Sequence, residues 1–159
     1  MEHDVTHQMT PQLNIRYLYA FCNEIDPMRE FYSDVLGMQE GSHMDSEDFG
    51  WLTYKSEGLE LMFFRWDDGV LPVQQAAAWQ PGGGDGELPV MSFSVHVPRE
   101  SYAATVERLR ASGANLETAV PTWRQESYWG LTARDPMGYT VEVYSDPAEK
   151  PVSTEWPGS

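Results

Sequence analysis

Two glutamates stand alone among large apolar residues, each in a run that reads as a β-strand. In Leu59–Phe64, LELMFF, a period of two puts Glu60, Met62 and Phe64 on one face and Leu59, Leu61 and Phe63 on the other. In Thr140–Tyr144, TVEVY, the same period sets Thr140, Glu142 and Tyr144 opposite Val141 and Val143. A carboxylate so placed can attract an ammonium or guanidinium group. It can also exchange a proton, ligate a metal, or simply face solvent. The Glu142 face reads either as the wall of a cavity or as the wet side of an edge strand.

Rings and hydroxyls share other strand faces. Tyr17, Tyr19 and Phe21 fall on one side of Leu13–Cys22, and Ser92, Ser94 and His96 on one side of Pro89–Val97. The rings can stack on a planar ligand or fill a core. The serines can offer hydroxyls or merely leave room. Cys22 is the only cysteine, so no disulfide forms within the chain, which suits a reducing cytoplasm. Its aromatic surroundings predict buried packing rather than nucleophilic chemistry. His3 and His7 are four apart but lie in a polar, unpatterned arm, and are not read as a metal site.

Composition narrows the partners. The 159 residues carry 25 acids against 10 bases, for a formal net charge of -15. Such a surface repels phosphates, so neither a nucleic acid nor an anionic membrane is expected. A cationic or weakly basic ligand would be drawn in. No apolar run reaches membrane-spanning length, and the start of the chain predicts no signal peptide.

The elements that must position these groups follow from turn and helix signals. Within Tyr128–Tyr144, Asp135-Pro136-Met137-Gly138 joins two β-rich runs. Proline presets φ at the second turn position, glycine relieves the fourth, and the Asp135 carboxylate can hold the turn. Asp26 and Pro27 predict a helix start, with Met28, Phe31, Tyr32, Val35 and Leu36 as its buried stripe. Gly37 ends it in a left-handed conformation. Gly41–Asp48 reads as loop or strand edge, Phe49–Lys55 as a strand, and Gly58 as the turn into LELMFF. After a spacer the order repeats. Pro89–Val97 is a strand, Pro98–Ser112 a helix with Tyr102, Val106 and Leu109 inward, and Asn115–Val120 a short strand.

The chain therefore divides into an arm (1–12), a first βαβββ module (13–66), a Gly/Pro-rich spacer (67–87), a second βαβββ module (88–147) and a tail (148–159). Gln74–Trp79 in the spacer predicts one helical turn or a lid. Trp156 in the tail is expected to pack over a neighbour. The fold class is α+β, and the internal duplication is its strongest signature.

FYSDVLGM at Phe31–Met38 and DPMGYTVEVY at Asp135–Tyr144 resemble the vicinal oxygen chelate superfamily, which includes glyoxalase I, extradiol dioxygenases and bleomycin-resistance proteins. The resemblance implies two curved half-sheets that pair into a cup, within a chain or between subunits, and favours a homodimer. It directs Glu60 and Glu142 into that cup. Metal-using relatives would place ligands at Tyr17, Glu60, Val90 and Glu142. Valine cannot ligate and neutral tyrosine is a poor ligand, so no metal cofactor is expected, with a divalent metal held weakly by the two carboxylates as the alternative.

The chain is most similar in character to the metal-free, bleomycin-resistance-like branch. That likeness implies a non-enzymatic protein that sequesters a planar, basic aromatic molecule. Its ligand-binding residues would be Tyr17, Tyr19, Phe21, Glu60, Met62, Phe64, Ser92, Trp129, Glu142 and Tyr144. Trp123 and Trp129 would clamp the rim, and Trp66 and Trp79 would close over the ligand. The alternative is an isomerase, epimerase or cyclase of the same fold, with Glu60 and Glu142 as catalytic acid and base.

Overall fold

The computed structural model describes residues 14–73 and 91–158. The arm, Val90, Trp79 and most of the spacer lie outside the described residues. The first unit contains β1 (Tyr17–Cys22), α1 (Ile25–Arg29), β2 (Glu40–Asp45), β3 (Gly50–Ser56) and β4 (Leu59–Arg65). The second contains β5 (Ser92–His96), α2 (Arg99–Ala111), β6 (Asn115–Leu116), β7 (Thr122–Arg124), β8 (Tyr128–Arg134) and β9 (Thr140–Ser145). Their sheets run β1-β4-β3-β2 and β5-β9-β8-β6, with β7 also paired to β8. β1 and β4 are parallel, as are β5 and β9, and the remaining pairs are antiparallel. Both units are βαβββ-like and both sheets are mixed and open, so the tandem α+β organisation holds.

Several local expectations are corrected. β9 lies between β5 and β8, so Glu142 is not on an edge strand. α1 starts at Ile25 with Glu24 at its cap, and Asp26 sits inside the first turn. The helix then widens into a π-helical stretch, Glu30–Val35, closed by the Leu36 N–H donating to the Phe31 carbonyl at 3.0 Å. Phe31 and Tyr32 are adjacent, yet both are buried in the core. The predicted strand Asn115–Val120 shrinks to β6, with bends at 117–120, and β7 forms beyond it where a loop was expected. Pro121 stands between them and has no N–H to donate. Gly37 takes the positive φ of 76° that its helix end requires.

The core lies where each helix covers its sheet. Met28, Tyr32, Leu52, Tyr54 and Phe63 are fully buried in the first unit, and Leu109, Leu131, Val141 and Val143 in the second. Tyr32 joins the two. Its ring stacks on Phe63 at 5.0 Å and on Phe93 at 6.2 Å, and its hydroxyl donates to Asp135 Oδ2 at 2.8 Å. Tyr139 donates to the Phe21 carbonyl at 2.8 Å, and Arg108 to the Val35 carbonyl at 2.9 Å. These bonds join the two modules. Among the described residues no helix is long and apolar enough to cross a membrane.

Candidate functional site

The first sheet presents an aromatic face. Parallel pairing sets Tyr17 beside Glu60, Tyr19 beside Met62 and Phe21 beside Phe64. Because paired residues share a face, all six predicted residues of this module point the same way. Tyr17 stacks on Tyr19 at 6.0 Å, and Tyr19 on Phe64 at 5.9 Å. Phe21 meets Trp66 edge-on at 5.3 Å. Tyr17, Tyr19 and Phe21 keep 46%, 61% and 46% of their surface in water. Large rings left wet in a row are unusual outside an interface or a binding surface. Their strand neighbours Ala20 and Cys22, on the opposite face, are buried. Burial pushes the Cys22 thiol up to about 12, so it stays a neutral packing group.

Between the modules, β1 and β5 line a groove of about 570 Å³. Leu18, Tyr19, Ala20 and Phe21 form one side, and Met91, Ser92, Phe93 and Tyr139 the other. The groove thus gathers Tyr19, Phe21 and Ser92. Glu60 lies beyond it, in a separate hollow of about 370 Å³ with Arg16 and Lys55.

The second sheet places Glu142 in a polar network. Glu142 is 3% exposed, yet both its oxygens are satisfied. Arg124 Nη1 donates to Oε1 at 2.6 Å, Tyr128 donates to the same oxygen at 3.2 Å, and Ser94 donates to Oε2 at 2.7 Å. Arg124 is itself only 2% exposed. Its Nε donates to Thr122 Oγ1 and its Nη1 to Thr132 Oγ1, both at 2.9 Å. Burial first, and then the Glu142 charge, raise the Tyr128 hydroxyl, which keeps its proton and remains a donor. Tyr144 is half-buried between Tyr128 and His96, with ring centroids 5.2 Å away on each side.

Two sequence expectations change here. Glu60 and Glu142 stand on separate sheets, and Glu142 meets a guanidinium rather than a second carboxylate. Trp129 pairs in register with Ser145, on the face opposite Glu142, and is buried against Trp123 at 5.3 Å and Trp156 at 5.1 Å. It is a core residue, not a rim clamp. Trp156 of the tail, expected to pack over a neighbour, covers Trp129 and Tyr102.

Arg124 is the residue that sequence reasoning missed. Its signal was Gly130, a glycine in the interior of β8. Glycine in a strand marks a place where another group comes close. A Cβ at Gly130 would lie 2.8 Å from Arg124 Cδ and 3.0 Å from both Arg124 Nε and Glu142 Oε1. The bare backbone is what lets the arginine lie across β8 and reach Glu142.

The register also re-maps the metal positions. Val90 lies outside the described residues. Tyr17 pairs with Glu60, and the matching parallel pair in the second sheet is Ser94 with Glu142. The positions that the family resemblance gives as ligands are therefore Tyr17 and Glu60 on one sheet and Ser94 and Glu142 on the other. Two neutral hydroxyls and one free carboxylate do not make a divalent site when the other carboxylate is already bound to a guanidinium. These residues do not fit a metal.

The sequence from residue 17 to residue 144 matches the family described as the glyoxalase-like domain. No curated protein matches the chain. Solved structures share the fold at low identity. One is a glyoxylase/bleomycin resistance protein/dioxygenase domain from Frankia sp. EAN1pec, with TM-score 0.59, 17% identity, and coverage of 86% of this chain and 100% of that one. Another is a glyoxalase/dioxygenase from Nostoc punctiforme, with TM-score 0.60, 14% identity, and coverage of 84% and 91%. A third is the fosfomycin resistance protein FosX from Listeria monocytogenes, with TM-score 0.56, 13% identity, and coverage of 89% and 98%. The tandem modules and the match across residues 17–144 agree: the chain belongs to the glyoxalase-like domain family.

Proposed function

We propose that this protein binds and sequesters a planar, basic aromatic small molecule without using a metal. The observation that carries this reading is the open row Tyr17–Tyr19–Phe64 beside Glu60. Stacked rings offer a flat apolar surface, and Glu60 offers a charge at its end. The net charge of -15 concentrates cations around the molecule. The bound Arg124 on Glu142 supports the metal-independent part.

The same exposed rings support a homodimer, in which a second copy lays a sheet face over the aromatic row and closes a cup. A single buried cysteine fits a cytoplasmic home. Proton transfer by a Glu60–Glu142 pair is less well supported, because Glu142 is held in its own ion pair.

Titration calorimetry with planar aromatic cations, beginning with proflavine, tests the reading. Binding is expected to weaken about tenfold in Tyr19→Ala, the equivalent of one ring stack of ~1.4 kcal/mol. A folded protein that binds no member of a broad cationic and neutral aromatic panel would overturn it.

A further inference from the structure

We propose that Arg124 is a tethered cation that fills the metal position of the second sheet and withholds Glu142 from any free cation. Three observations converge on this assignment. Ser94 and Glu142 repeat the parallel pairing of Tyr17 and Glu60, so they occupy the corresponding place in their own module. At that place the guanidinium touches Glu142 Oε1 at 2.6 Å, with both side chains out of water. The arginine is also fixed from behind. Thr122 and Thr132 accept from it, and Gly130 supplies the gap through which it passes.

The chemistry is substitution of one cation by another. A buried carboxylate needs a positive partner or a proton. A metal ion meets that need reversibly, through exchange with solvent. A guanidinium carried by the chain meets it permanently and contributes directional N–H donors. Its planar fork leaves no open coordination position. The second sheet face therefore takes hydrogen-bonding, uncharged ligand groups, while Glu60 alone is left to meet a ligand cation. This deepens the metal-independent reading above, but its test requires no aromatic ligand, so the two can fail separately.

The test is cobalt binding by the full chain, followed by visible absorption and equilibrium dialysis. Ser94→His installs a strong ligand beside Glu142 while Arg124 remains. Arg124→Met combined with Ser94→His removes the tethered cation at similar side-chain length. The wild type and Ser94→His are expected to take up no cobalt that depends on Glu142. The double variant is expected to bind cobalt at least tenfold more tightly than Ser94→His, and adding Glu142→Gln should abolish that gain. Equal binding by Ser94→His and the double variant would overturn the proposal. If the double variant does not fold, Ser94→His decides alone. Cobalt uptake lost on adding Glu142→Gln overturns the assignment, and no such uptake upholds it.

Discussion

Glu142 and Arg124 are each almost wholly removed from water, so neither can be deleted alone without leaving the other charge stranded. Breaking a buried pair from one side costs about 3–5 kcal/mol, whereas replacing both partners with apolar groups of similar volume is far milder. Urea denaturation should therefore show Glu142→Gln losing stability on that scale. Arg124→Met/Glu142→Leu should lose clearly less than the two single changes added together. Additivity would mean that the two groups are not coupled. Gly130→Ala should cost about 1–3 kcal/mol, because the new methyl meets the arginine stem rather than open space. Part of that cost should vanish in an Arg124→Ala background, where the stem is gone and only the contact with Glu142 Oε1 remains. None of these couplings is visible in composition. In sequence, Arg124 is one base in an acidic chain, and only the glycine six residues on hints at what lies over it.

At the scale of elements, the Asp135–Gly138 turn does more than reverse the chain. Asp135 Oδ1 accepts from the Met137 and Tyr139 N–H groups, both at 2.9 Å, and Oδ2 accepts from Tyr32 in the other module. The expectation that its carboxylate holds the turn is met, and the bond to Tyr32 adds a link that local pattern cannot show. Burial raises Asp135 from 3.8 to about 6, outweighing the donors that favour its charged form. A folded value above the unfolded one means that the native state binds the proton more tightly. Stability should then be lower above pH 6, rise as pH falls through 6, and reach its full gain below about 4. The gain is about 3 kcal/mol, from roughly two pKa units at 1.36 kcal/mol each. Thermal melts of wild type and Asp135→Asn across pH 4–8 isolate this contribution from the general relief of acid–acid repulsion. A pH dependence unchanged by Asp135→Asn would refute it. Tyr32→Phe should move the midpoint upward, since one donor to the charged form is lost. The helices, β-runs and turn glycines were legible because each rests on neighbours a few residues apart. The π-helical stretch and the early end of β6 were not, because core contacts and pairing with β8 decided them.

For the whole molecule, the question is what covers Tyr17, Tyr19 and Phe21. A second copy would remove those rings from water, and sedimentation velocity should show a dimer at micromolar concentration. A monomer at all concentrations would mean that the row stays open. Ligand capture by an acidic chain should also weaken with salt, since screening shortens the reach of surface charge to about 8 Å at 0.15 M. Calorimetry at low and high ionic strength checks this, and salt-independent binding of a cation would speak against Glu60 as its partner. Taken alone, the sequence determined the duplicated strand–helix–strand order, the buried stripe of each helix and the family, since periodicity and turn chemistry are local properties. It also showed which residues share the first sheet's aromatic face. Only the tertiary structure decided that Trp129 turns into the core, that Ser94 stands opposite Glu142, and that an arginine from β7 neutralises that glutamate. Those outcomes depend on strand register and on close approach across a glycine, which are relations between distant parts of the chain.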